Sequence, residues 1–104
     1  MSAHKIAGVY KITSPTYSIY IGQSWDIIKR KTYYEKIRCK AQTKVYNSLL
    51  KHSWEAHTFE IIYELPQEAT QEVMDNYEIL YWQLYKDCGV NIRTKDGLSF
   101  RYQA

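Results

Sequence analysis

The chain has almost no cysteine chemistry to offer. Cys39 and Cys88 stand far apart, in no CxxC pair and in no Cys/His cluster. A four-ligand structural zinc site would have to recruit His4, His52 or His57, whose spacings fit none of the usual ligand patterns. The thiols therefore read as two reduced, partly buried side chains. Apolar runs are short as well. None approaches the ~20 residues of a membrane-spanning helix. The opening stretch MSAHKIAGVYKIT is too short and too polar for a secretory signal. The expected setting is cytoplasmic, with no membrane partner. Repeats, linkers and low-complexity segments are missing too. What remains is a single domain over residues 1–104, with a core spanning about 7–93. At 45% hydrophobic residues it can bury a core and is not a disordered chain.

Negative charge is scarce where positive charge gathers. From Lys29 to Lys51 the chain sets Lys29, Arg30, Lys31, Lys36, Arg38, Lys40, Lys44 and Lys51 against Glu35 alone. Acidic residues concentrate from Glu55 to Asp87. The net charge of +3 is mild, so the distribution carries the argument. A basic first half and an acidic second half read as one face for a polyanion, or as an ordinary solvated helix face. Eleven tyrosines are many for this length. Each offers a flat ring and a hydroxyl able to reach a phosphate, and each is also a good strand and core residue.

The order of elements follows from periodicity. AGVYKIT, Ala7 to Thr13, reads as a strand rich in β-formers. Ser14-Pro15 signals a turn. YSIYIGQ, Tyr17 to Gln23, alternates Tyr17, Ile19 and Ile21 with Ser18, Tyr20 and Gly22, which predicts the second arm of a hairpin. Ser24 looks like an N-cap, with Asp26 in the first turn of a helix from Trp25 to about Ile37. A short helix over Thr43 to Lys51 and a strand over His57 to Leu65 follow. The longest helical pattern is QEATQEVMDNYEILYWQLYKD, with a stripe of Val73, Met74, Tyr77, Leu80, Tyr81, Leu84 and Tyr85. VNIRTKDGLSFRYQA reads as a short extended tail. The order β-β-α-α-β-α predicts a small α+β domain.

Two polar residues sit where apolar ones are expected. Ile27, Arg30, Tyr34 and Ile37 share one helix face. An arginine leaning inward needs an anion, and its planar fork suits phosphate or carboxylate; otherwise its stem covers a core edge. Glu78 lies at the edge of the long helix's stripe, among Met74, Tyr81, Trp82 and Tyr85. A carboxylate among aromatics is costly unless it is paired or holds a metal. One carboxylate with substrate phosphate and water is a typical magnesium arrangement; the alternative is a boundary glutamate leaning into solvent. Gly22, ending the second strand, would let a backbone or ligand approach closely.

These residues in this order resemble the GIY-YIG nuclease superfamily. Gly8-Val9-Tyr10 resembles the first triplet and Tyr20-Ile21-Gly22 matches the second. Ser24-Trp25-Asp26-Ile27 with Lys29-Arg30 resembles the helix start that follows, which puts the family's arginine at Arg30. YEILYW puts its metal-binding glutamate at Glu78, and GVNIR puts its asparagine at Asn91. SLLKHSWEAHTFEII looks like the phage homing-endonuclease branch, where a Lys-His-Gly-like turn precedes the third strand.

The resemblance implies a three-stranded antiparallel sheet flanked by helices. It also implies a DNA endonuclease with one active site using Mg²⁺ or Mn²⁺. Tyr10 and Tyr20 would contact water or phosphate, Arg30 would clamp the scissile phosphate, and Glu78 would hold the metal. Tyr34 stands where many relatives carry histidine, so it supplies the same hydrogen bond or acts as the base. A tyrosine base would need nearby cations to bring its pKa down from ~10. Lys31, Lys40, Lys44 and Asn91 are the expected DNA contacts, and Gly22 a structural position. A lone catalytic module would draw specificity from a homodimer, a separate targeting protein or structured DNA. The competing readings are a DNA-binding module of the same fold without catalysis, and an interaction protein whose tyrosines are only core.

Overall fold

The computed structural model describes residues 5–86 and the backbone of residues 92–94. Strands β1 (Ala7–Thr13) and β2 (Ile19–Ser24) form the expected hairpin, antiparallel with Tyr10 opposite Gly22 and Ile12 opposite Tyr20. The turn between them closes on Ser14, whose Oγ accepts from the backbone N–H groups of Thr16 and Ser18. Tyr17 belongs to that turn rather than to the strand. It has a φ of 67° and is 75% exposed, so the alternation begins at Ile19.

β3 (Thr58–Leu65) pairs antiparallel with the other edge of β1. Its register shifts where Val9 faces Tyr63 but Tyr10 faces Ile61, leaving Ile62 as an extra residue. Such a bulge re-aims nearby side chains. Gly8 sits where this pairing is tightest. A Cβ there would lie 1.9 Å from the carbonyl oxygen of Tyr63, which only a glycine avoids. The expected three-stranded antiparallel sheet thus forms, and it gains a fourth strand. β4 (Ile92–Thr94), inside the segment read as an extended tail, runs parallel to β2 and completes the order β3-β1-β2-β4.

Helices cover both faces. On one side α1 (Ile27–Glu35) and α2 (Thr43–His52) supply Ile27, Tyr34, Val45 and Leu49 to a core shared with Tyr10, Ile12 and Tyr20. On the other, α3 (Gln71–Lys86) sets Trp82 against Val9, Ile19 and Ile21. The inward face of α3 keeps Met74, Tyr77, Tyr81 and Tyr85 of the expected stripe but not its other three residues. Val73, Leu80 and Leu84 are exposed, while Met74, Glu78 and Trp82, one turn apart in series, are buried. Glu78 is thereby moved from the edge of the face to its centre.

The start of α1 uses two caps in series, and the N-cap is Asp26 rather than Ser24. Ser24 Oγ accepts from the N–H of Asp26, and the Asp26 carboxylate accepts from the N–H of Lys29 at 3.2 Å. Its end is a Schellman turn: Arg38 N–H reaches the carbonyl of Tyr33 and Ile37 N–H that of Tyr34. The left-handed residue of this turn is Ile37, at a φ of 51°. A β-branched side chain there costs on the order of 1–3 kcal/mol, offset here by packing of Ile37 on the α1–α2 core. Ser53 takes the glycine's place in the turn after α2, at a φ of 70°. His57 braces that turn, with Nδ1 on the Ser53 carbonyl and Nε2 on the Ser48 hydroxyl.

Candidate active site

Tyr10 projects from β1 across the hairpin toward the backbone of Gly22. A Cβ on Gly22 would come within 2.6 Å of the Tyr10 ring, so the missing side chain of one triplet is the space filled by the tyrosine of the other. The Tyr10 hydroxyl lies 2.8 Å from that of Tyr34, and Tyr34 donates to Gln42 Oε1 at 2.7 Å. Each phenol has one proton, so the chain is ordered: Tyr10 donates to Tyr34, and Tyr34 to Gln42. Tyr20 is buried in the same cluster.

Burial dominates the ionisation of both tyrosines. Desolvation, reinforced by Tyr34, holds Tyr10 well above the ordinary phenol range; Arg30 opposes this and Glu78 adds to it. Tyr34 is pushed up as well, first by desolvation, while its bond with Tyr10 and the charge of Arg30 pull the other way. Arg30 therefore acts in the direction expected of a cation beside a tyrosine base, but desolvation outweighs it. Both phenols are neutral at physiological pH. The same electrostatics place Tyr10 of β1 within the fields of Arg30 on α1 and Glu78 on α3.

Arg30 is half-buried, its guanidinium 4.9 Å from the centre of the Tyr33 ring. It lines a cavity of about 320 Å³ together with Ser24, Asp26, Lys29 and Tyr33. That volume accommodates a phosphate with its neighbouring sugar, and the fork of Arg30 matches two phosphate oxygens.

Glu78 is 1% exposed, at the bottom of the α3 face. The Nε2 of Gln23 donates to Glu78 Oε1 and, at 2.8 Å, to Asp75 Oδ1. Gln71 completes the set, donating to Gln23 Oε1 at 2.6 Å and to Asp75 at 2.9 Å, while Trp25 donates to Gln71. One amide thus bridges two carboxylates that stand three residues apart on α3, and it fixes the Glu78 rotamer. The donor chemistry fits a hard divalent cation: magnesium takes one or two carboxylates and fills its remaining positions with water and phosphate oxygens. Among the described residues no group of three or more His, Cys, Asp or Glu side chains could hold a metal alone.

The expected DNA contacts are distributed differently. Lys31 is half-buried on α1, and Lys40 and Lys44 are exposed in and beyond the α1–α2 connection. None of the three lines the cavity; Lys29 does. Asn91 lies outside the described residues. Sequence reading missed Gln23 and Asp75. A signal existed for each: Gln23 follows Ile21 by two positions on the strand face that meets α3, and Asp75 precedes Glu78 by one turn. Gln42, just ahead of α2, is a third such residue, the acceptor for Tyr34.

No family model matches the chain, and no curated protein does either. Among solved structures it is similar to a point mutant of the catalytic domain of intron endonuclease I-TevI, with a TM-score of 0.65 at 19% identity. The match covers 78% of this chain and 84% of that one. The likeness shows the fold, an antiparallel sheet flanked by helices shared with that domain, which is the fold the resemblance of the two triplets implied.

Proposed function

We propose that the chain is a DNA endonuclease that hydrolyses phosphodiester bonds with one divalent cation, Mg²⁺ or Mn²⁺, at one active site. The observation that carries this reading is a cation and a buried carboxylate on helices packed on the two sides of the sheet, Arg30 on α1 lining an open cavity and Glu78 on α3 held by Gln23, both acting electrostatically on the buried Tyr10. The likeness to an endonuclease catalytic domain supports it. A packed core alone gives no reason to bring an arginine and a buried carboxylate to one tyrosine.

Arg30 binds the scissile phosphate in the cavity beside it, its fork on the non-bridging oxygens, where negative charge grows in the transition state. Glu78, oriented by the amide of Gln23, would hold the cation. A divalent cation there would supply charge stabilisation at the leaving oxygen and a lower pKa for water. Tyr10 and Tyr34 do not serve as phenolate bases at neutral pH. Their protons point inward along the chain to Gln42, and the Tyr10 oxygen, buried in this structure, keeps its capacity to accept a hydrogen bond. In the net reaction an oxygen–phosphorus bond to water forms and the bond to one sugar oxygen breaks. One proton leaves the water and one is gained by the departing oxygen.

The test is nicking of supercoiled plasmid in Mg²⁺ or Mn²⁺. Wild type converts plasmid to open circles, EDTA stops it, and Glu78→Ala and Arg30→Ala each lose on the order of 10²–10³-fold in rate. Undiminished nicking by Glu78→Ala would sink the metal role. Salt-sensitive DNA binding by wild type without any nicking identifies a binding module instead. One active site cuts one strand at a time, so linear product requires a second copy or a second visit.

A further inference from the structure

A second cavity adjoins the first along the outer side of α1. It has a volume of about 280 Å³ and is lined by Lys29, Thr32, Tyr33, Lys36 and Arg38. Lys29 and Tyr33 line both cavities, so the two lie side by side with these residues between them. Every charged residue of the second cavity is basic, whereas the first also holds Asp26. Lys29, Thr32 and Lys36 share an edge of α1 at helical spacing, but Arg38 lies beyond the helix. It reaches the second cavity because the Schellman turn folds the chain back, with Arg38 N–H on the Tyr33 carbonyl. The backbone of that turn holds an isoleucine in the left-handed region, an arrangement an ordinary helix end leaves to glycine.

We infer that this second cavity is a binding site for a backbone phosphate of the same DNA strand whose scissile phosphate occupies the Arg30 cavity. The inference rests on the nuclease reading for the identity of the polyanion, and it adds a site which that reading does not require. Lys36 follows Arg30 by six residues, roughly 9 Å along the helix axis, which is within a few nucleotide steps. Lys36 and Arg38 neutralise the phosphate from the outer rim. Tyr33, its ring held by Arg30, forms the divide between the two phosphates. The strand then runs along α1 from its N-terminal half toward Arg38. This gives a chain with mild net charge a local track for a strongly charged ligand.

The experiment measures binding of the full chain to a mixed-sequence 30-base-pair duplex in EDTA over a range of salt concentrations. Two neutralised phosphate contacts account for a slope of about −1.8 in log K against log salt. The Lys36→Gln/Arg38→Gln variant is expected to lose that much slope and to bind about tenfold or more weakly at 0.15 M salt. Its melting temperature stays that of wild type, which separates lost phosphate contacts from lost folding. An unchanged slope and affinity overturn the site even if wild type nicks plasmid, and so does an absence of DNA binding by wild type. A reduced slope in a chain that never nicks supports the site and overturns the nuclease reading instead.

Discussion

The two helices that approach the end of the β1–β2 hairpin bring opposite charge there in opposite ways. The α1 side carries its cations on open cavities, where Lys29, Lys36 and Arg38 are exposed and the half-buried Arg30 lies over the Tyr33 ring. α3 carries its carboxylate inside, with Glu78 buried and tied to Asp75 through a single glutamine amide. The difference has an energetic reason. A guanidinium or ammonium on a long stem can keep its head hydrated while its carbons cover apolar surface. A glutamate in the middle of a helix face cannot, so it must be held by hydrogen bonds. The open side should therefore set binding and respond to salt, while the closed side should set both stability and chemistry.

The largest effect is expected from breaking the closed side. Gln23→Ala removes the shared donor from Glu78 and Asp75 and leaves two like charges one turn apart. Nicking should fall about 10–100-fold, as it does when a group orienting a metal ligand is lost. Unfolding free energy should fall by about 1–3 kcal/mol in a denaturant titration. A variant as stable and as active as wild type would reduce the amide bridge to coincidence.

Next comes the tyrosine chain that joins the two sides. Tyr34→Phe strips the acceptor from Tyr10 and the donor from Gln42, both buried. The expected cost is about 1–3 kcal/mol of stability, with nicking retained in part. An inactive but fully stable Tyr34→Phe would instead assign Tyr34 to proton transfer. Alkaline pH strains the same pair. Both folded-state pKa values lie above the ~10 of an unfolded tyrosine, so the stability they contribute is complete below pH ~10 and is lost as pH rises beyond it. Chemical denaturation between pH 8 and 11 should show that decline, and Tyr34→Phe should shallow it. The smallest effect belongs to the open side. Lys36→Gln should change stability by less than about 0.5 kcal/mol in the same titration, since Lys36 is exposed at the end of α1.

Much of this was legible in the sequence where local rules act alone. The β1–β2 hairpin, α2 and β3 follow from alternation, helical spacing and turn residues, and they stand where those signals put them. The misreadings occur where a distant contact decides. Val73, Leu80 and Leu84 make a better hydrophobic stripe than Met74, Glu78 and Trp82, yet α3 turns Trp82 onto Val9, Ile19 and Ile21, and Glu78 comes inward beside it. The hydrogen bond from Gln23, fifty-five residues away in sequence, helps make that rotation tolerable. β4 has three residues and pairs in parallel across the chain, so no local periodicity announces it. Ser24 and Asp26 are both sound capping residues, and the structure uses them in tandem. In the site, Arg30 and Glu78 stood out because each broke an apolar pattern. Gln23 also broke one, following Ile19 and Ile21 on their face, but as a neutral residue at a strand end it drew no notice.

The fit of the Tyr10 ring over Gly22 makes the two triplets a matter of volume shared across a strand pair. Neither residue is free to vary by itself. A side chain at position 22 requires a smaller one at position 10, and a smaller residue at 10 leaves a hole that only a larger one at 22 can fill. Substitutions at these positions should be strongly non-additive, each harmful alone and partly rescued by the other. This ring and this gap can change only together.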